Sequence, residues 1–240
     1  MLEPISPTIW GAEHDVKAPG GIIFRSRMSV VDLGDGELLL HSPVPIDDAL
    51  AAEIDALGTV RWIVAPNDQH HLYAGEASAR YPGATLLGTQ GARDNEPDVE
   101  FDAALEDGAP PEWAGRLEMV GIEGTRYWNE FVFYEPKSRT LICSDLVFNI
   151  HEIPNFATNL MLTLVGGKGG VVQTRSERWF LVKDRPSYAE SIAKVLAWDF
   201  DRLVMGHGRV VETGGYEELA RAVRWALPSS HREKTEQGTP

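Results

Sequence analysis

Short strand-like runs separated by turn residues open the chain. Residues 21–27, 28–33 and 37–41 are rich in β-branched and apolar side chains, and Gly34, Asp35 and Gly36 supply a turn between the last two. The pattern then becomes helical. Asp47 or Asp48 can cap a helix in which Ala49, Leu50, Ile54 and Leu57 share a face, and Gly58 stops it. Residues 60–65 read as a buried strand that ends in the polar segment Pro66-Asn67-Asp68-Gln69-His70-His71. A helix over 73–80 and a strand over 84–88 follow, so the first half reads βαβαβ. Residues 91–115 are acidic and proline-rich, the composition of a surface connection.

Strand patterns resume at 116–122, 131–134 and 140–144, and the turn formers of 135–139 join the last two into a hairpin. Residues 156–165 are apolar without clear period, and five residues from Gly166 to Gly170 break the chain, so 151–185 is expected to be an insertion or lid. A helix over 188–198, a strand over 202–205 and a helix over 216–225 complete the pattern, with a polar, frayed tail over 228–240. Each β-rich half carries helices able to cover one outer face. The expected fold is α/β (α+β), a four-layer αββα sandwich formed by residues 1–240 as a single domain.

Composition narrows the chemistry. With 43% hydrophobic residues in 240, the chain can bury a core without metal or disulfide staples, so any metal should serve chemistry rather than folding. Thirty-six acidic against twenty-two basic side chains leave a net charge of -14, which repels phosphate polymers and anionic lipid. A small-molecule substrate is therefore expected, without nucleic-acid or membrane partners. Cys143 is the one cysteine, read as a small core residue rather than a nucleophile. The first ten residues lack the basic end and apolar stretch of a signal peptide, and no run approaches about 18 apolar residues, so a cytoplasmic location is expected.

Three strand ends carry potential metal ligands. Residues 60–65 lead to Asp68, His70 and His71; 140–144 lead to Asp145; 202–205 lead to His207 between Gly206 and Gly208. Neighbouring strands lie roughly 5 Å apart, so loops leaving one sheet edge can converge on one ion. Imidazole with carboxylate suits zinc, iron or manganese. The alternatives at each position are a polar loop for His70 and His71, an N-cap for Asp68, a turn brace for Asp145 and a hydrogen-bonded structural histidine for His207. The run from Gly166 to Gly170 lacks the Lys-Ser/Thr ending of a phosphate loop, and no G-x-S-x-G elbow is present.

The order of strand, His/Asp-rich loop, helix, hairpin, Ser144-Asp145-Leu146-Val147-Phe148, and finally Val204-Met205-Gly206-His207-Gly208 resembles the metallo-β-lactamase superfamily over roughly residues 20–227. That family's first motif reads HxHxDH. Here the segment from Pro66 to His71 stands in its place, with only His71 matching, His70 where the family has Asp, and Asp68 where it has a first-metal histidine. The next family histidine falls nearest Arg126, while Asp145 and His207 match the bridging aspartate and the final histidine. The resemblance implies a metal-dependent hydrolase of a small ester, thioester, lactone or amide. One divalent ion, zinc ahead of iron or manganese, would be held by His70, His71, Asp145, His207 and Asp68. Asp68 and Asp145 would serve the water, and Arg126 would stabilise an anion. A non-catalytic binding protein and an iron-dependent oxidoreductase on the same fold are the alternatives.

Overall fold

The computed structural model describes residues 1–227; the tail expected over 228–240 lies outside the described residues. A seven-stranded sheet has the order β1-β2-β3-β4-β5-β6-β7, with β1 Glu3–Ser6, β2 Ile9–Ala18, β3 Ile22–Asp32, β4 Glu37–His41, β5 Thr59–Ala65, β6 Thr85–Gly88 and β7 Ala103–Ala104. Its first four strands pair antiparallel and its last four parallel. A second sheet, β11-β10-β9-β8, is built from β8 Glu118–Gly121, β9 Phe131–Glu135, β10 Thr140–Ile142 and β11 Arg202–Val204.

Parallel pairing requires crossovers, and helices supply them. Helix α1 (Asp48–Asp55) connects β4 to β5 and starts where Asp47 accepts a 2.8 Å hydrogen bond from the Leu50 amide. Helix α2 (Ala74–Arg80) connects β5 to β6, and α3 (Gln90–Asn95) follows β6. Between β10 and β11 lie α4 (Phe156–Val165) and α5 (Arg185–Val195), and α6 (Gly215–Val223) closes the described chain.

Three buried layers separate four layers of secondary structure. Ile54, Ala77 and Ala92 of the first three helices pack with Val30, Leu40 and Ile63 on one face of the large sheet. Tyr188, Ile192, Leu219 and Val223 of α5 and α6 cover Leu141 and Leu203 of the small sheet. Between the sheets, Trp62, Val64 and Leu87 meet Phe133, Ile142 and Val204 around the fully buried Trp113. This is the αββα sandwich.

Several expected elements differ in detail. The strands expected at 21–27 and 28–33 are one strand, β3, because β2 pairs with it from Ile22 to Val31 and leaves no place for a turn. The surface connection expected over 91–115 holds most of α3, the short β7 and two 3-10 turns, tied down by buried Leu105 and Trp113. Segment 151–185 contains α4, seated on β3 where the Ile23 amide donates to Thr158 Oγ1 at 2.9 Å, and a π-helical turn over Glu177–Leu181. Among the described residues, no helix is long and apolar enough to cross a membrane.

Candidate metal centre

The C-terminal ends of β4, β5, β10 and β11 open onto one edge of the sandwich, the edge at which parallel strands commonly present their functional loops. His70, Asp145 and His207 leave three of these ends and meet. His70 Nε2 lies 3.2 Å from His207 Nε2 and 3.3 Å from Asp145 Oδ2, while His207 Nε2 lies 3.3 Å from Asp145 Oδ1. Their side chains are only 6, 11 and 13% exposed for His70, His207 and Asp145.

Local chemistry fixes each orientation. Asn67 Oδ1 accepts the amides of Gln69 and His70 at 2.8 and 2.7 Å, folding the loop after β5 into an Asx turn that throws His70 inward. The Asn67 amide nitrogen donates to Asp145 Oδ2 at 2.8 Å, so one side chain sets both ligands. Ser42 Oγ lies 2.5 Å from His70 Nδ1, and His207 Nδ1 donates to the Arg25 carbonyl at 2.7 Å. These contacts leave the two Nε2 atoms facing each other. At Gly206 an added Cβ would come within 2.8 Å of His70 Cε1 and 2.9 Å of the Ser144 carbonyl, so only glycine lets the β11 loop approach this closely.

A carbonyl can only accept, so His207 carries a proton on Nδ1 and offers Nε2 to the cluster. The three converging groups are placed so that one cation could be shared among them. Ligands about 2.0–2.1 Å from a tetrahedral ion are spaced roughly 3.3 Å apart, which matches the separations here. Burial opposes the charged form of His207, but the Asp145 hydrogen bond and charge more than offset it and raise its pKa. Burial works against the Asp145 carboxylate too, and His70 and His207 together hold it well below the usual range, so it stays ionised.

Behind Asp145 stands Glu130, a group that sequence reasoning missed. Its carboxyl oxygens accept the amides of Ser144 at 2.6 Å and Asp145 at 3.0 Å, shaping the loop after β10 from below. Burial and then the Asp145 charge push its pKa above the ordinary carboxylate range, whereas that of Asp145 is pulled below it. Ser42 and Asn67 were also missed as positioning groups. Asn67 lay inside the recognised segment; a glutamate preceding an apolar strand carries no signal of this role.

Three candidate residues stand apart from the cluster. Asp68 turns away: its Oδ1 accepts from Thr89 Oγ1 at 2.8 Å and its Oδ2 from the Asn129 amide at 2.7 Å. It packs so tightly beneath α3 that a Cβ at Gly91 would fall 2.2 Å from its carboxyl oxygen. Both oxygens are thus committed to bracing loops, in place of the ligand and base roles expected from the sequence. His71 Nδ1 lies 2.9 Å from Glu96 Oε1, because the loop turns between consecutive residues and sends the two imidazoles to different partners. Arg126 is exposed, its guanidinium 5.9 Å from the Tyr127 ring centre. Among the described residues, His70, Asp145 and His207 form the group of His, Cys, Asp or Glu able to share an ion. Cys143 is buried in the core, and burial raises its thiol well above the ordinary value.

His41, at the end of β4, is also fully enclosed, and neither ring nitrogen has a hydrogen-bond partner. Burial and then the nearby His70 push its pKa down to about 3. The folded chain therefore refuses a proton that the unfolded chain takes up below about pH 6.5. The sign follows: the contribution is complete above the unfolded pKa and is lost as pH falls toward 3, at about 1.4 kcal/mol per pH unit. Urea unfolding between pH 7 and 4 is expected to show His41→Leu losing less stability than the parent on acidification; parallel losses would contradict the neutral, buried imidazole.

An apolar cavity of about 570 Å³ reaches the cluster, lined among others by Phe24, Tyr73, Trp128 and Phe148. Phe148 stacks on His207 with ring planes 18° apart, and Phe24 contacts the same imidazole at a centroid distance of 5.8 Å.

No protein-family model matches the sequence, and no curated protein is significantly similar to it. Solved structures match almost the whole chain. A metallo-β-lactamase from Pontibacter korlensis is 14% identical with a TM-score of 0.63, covering 94% of this chain and 98% of its own. FIM-1 from Pseudomonas aeruginosa, a metallo-β-lactamase solved in its mono-zinc form, is 14% identical with a TM-score of 0.59 over 95% of this chain and 96% of that one. A metallo-β-lactamase from Hirschia baltica is 12% identical with a TM-score of 0.62, covering 95% and 98%. At these identities the likeness establishes the fold: this chain has the metallo-β-lactamase fold.

Proposed function

We propose that the protein is a metal-dependent hydrolase of a small ester, thioester, lactone or amide, working with a single ion held by His70, Asp145 and His207. The observation that carries this reading is the convergence of two imidazole nitrogens and an ionised carboxylate at 3.2–3.3 Å on the functional edge of this fold. Bound there, a divalent ion, zinc ahead of iron or manganese, supplies Lewis-acid polarisation of a carbonyl and a water acidic enough to ionise near neutral pH. Three protein donors with one position left open is the ligand count of catalytic rather than structural zinc sites.

The chain's own groups do the rest. Asp145 would contribute the negative charge that holds the ion, with Asn67 keeping its carboxylate in register. The Arg25 carbonyl holds His207 in the ligating tautomer, and Ser42 positions the His70 ring through its Nδ1. The apolar walls exclude bulk water and strengthen each electrostatic contact at the reacting carbonyl. A single ion is favoured because His71 and Asp68 are engaged elsewhere and Pro66 has no donor side chain. The net charge of -14 supports a small-molecule substrate rather than a nucleic acid or an anionic membrane.

Elemental analysis of protein purified without chelator, followed by zinc titration of the apo form and an ester-hydrolysis assay, tests the proposal. One tight equivalent per chain and hydrolysis that vanishes on chelation and returns with zinc are expected. Two tight equivalents would overturn the single-ion site. One equivalent without turnover would favour the non-catalytic reading, and iron-specific binding with redox turnover the oxidoreductase.

A further inference from the structure

The cavity that reaches the cluster has an unusual electrostatic character for a chain with so many charges. Among the described residues that line it there is no lysine or arginine, and aromatic and aliphatic side chains, including Phe24, Leu72, Tyr127, Trp128, Phe148 and Leu181, make up most of its wall. Its two acidic members add no spare charge. Asp145 is committed to the two histidines, and Glu177 is buried with its Oε2 accepting the Thr174 amide at 2.7 Å. Burial, reinforced by the Asp145 charge, raises the Glu177 pKa well above the carboxylate range, so it faces the cavity as a neutral acid.

The cations lie next door. Behind Phe24 and His207, a separate cavity of about 580 Å³ is lined by Arg25, Arg27 and Arg209. Each is already paired: Arg25 with Asp15 at 2.9 Å, Arg27 with Glu13, and Arg209 with Glu152. Apart from an ion held by the cluster itself, no unpaired charged side chain among the described residues lines the cavity; exposed Arg126, against Tyr127, lies outside its wall.

We infer that this site takes an uncharged substrate with an apolar arm of several carbons, its carbonyl at the His70–Asp145–His207 cluster and its arm along the Phe24–Trp128–Phe148 wall. Substrates carrying a carboxylate or phosphate away from the reacting carbonyl are excluded. The physical reason is desolvation: an anionic end entering this cavity loses its water and finds no counter-charge, whereas each methylene buried strengthens binding about fourfold. Exposed Leu72 and Tyr127 at the cavity wall extend the apolar surface outward. The inference rests on the hydrolytic reading for its chemistry but not for its binding.

Calorimetric titration of the zinc-loaded protein, repeated on the apo protein so that a carboxylate turned toward the ion is recognised, uses three amides of equal length: octanamide, the monoamide of suberic acid, and an analogue ending in trimethylammonium. Octanamide is expected to bind about a hundredfold more tightly than the suberic monoamide. Shortening it is expected to weaken binding by a few-fold per methylene. Leu72→Lys, a change at an exposed wall position, is expected to raise the affinity of the suberic monoamide relative to octanamide about tenfold. Equal binding of neutral and anionic amides, tighter binding of the trimethylammonium analogue, or no binding of octanamide would each overturn the inference. Turnover of p-nitrophenyl octanoate is scored separately. Octanamide binding without ester turnover would sink the hydrolase reading and leave the neutral cavity standing, whereas turnover indifferent to acyl length and distal charge would do the reverse.

Discussion

Asp145→Asn is expected to weaken zinc binding by a factor of roughly 10²–10³, the largest functional effect of any single isosteric change in this chain. The substitution keeps the shape of the side chain and removes the only anionic donor from a cluster whose other two members are imidazoles. Removing one partner of a buried charged pair costs about 3–5 kcal/mol, because the remaining charge stays desolvated. An ion among three neutral donors would be in that position. Without the metal, the same variant removes the carboxylate that raises the His207 pKa, so the imidazole is expected to titrate lower than in the parent. Zinc titration of the apo protein, with the His207 ring signals followed by NMR across pH, measures both. Parent-like zinc affinity in Asp145→Asn would remove Asp145 from the ligand set. Asp68→Ala is the internal control: its carboxylate braces Thr89 and Asn129, so its loss is expected mainly in stability.

Glu130→Ala is expected to be the most destabilising change near the site, by about 2–5 kcal/mol. Two buried amides, those of Ser144 and Asp145, would lose their acceptor at once, and an unsatisfied buried donor costs about 1–3 kcal/mol. The consequence for function follows from where those amides lie. They define the turn after β10 that presents Asp145, so zinc affinity is also expected to fall about 10–100-fold in molecules that remain folded. Glu130→Gln keeps one acceptor and should recover part of both losses. Denaturant unfolding and zinc titration of the two variants read the effects separately. A Glu130→Ala protein as stable as the parent would mean that these amides find other partners.

The αββα fold itself is legible in residue order: apolar strand runs separated by helical periods make two β-rich halves, and ligand-type residues follow three strand ends. Elements with a strong period, such as α1 with its Asp47 cap, fell close to where the pattern put them. Strands β1 and β2 escaped notice, because Gly11 and the alternating charges from Glu13 to Lys17 mask a strand that is stabilised by pairing along the whole of β3. The short β7 was equally invisible, since a two-residue strand is defined by its partner β6 rather than by its own side chains.

At the site, the sequence by itself determined that His70, Asp145 and His207 follow strand ends, with His207 set between two glycines. Tertiary structure decided which of three neighbouring loop residues faces inward. Asp68, His70 and His71 are nearly equivalent as a string of letters, yet Thr89 and Asn129 draw Asp68 one way, Glu96 draws His71 another, and Asn67 with Ser42 turns His70 to the cluster. Hydrophobic period is a local property and survives in one sequence. The direction of a polar side chain in a loop is set by partners up to 182 residues away, and those partners are known only once the strands have been brought together.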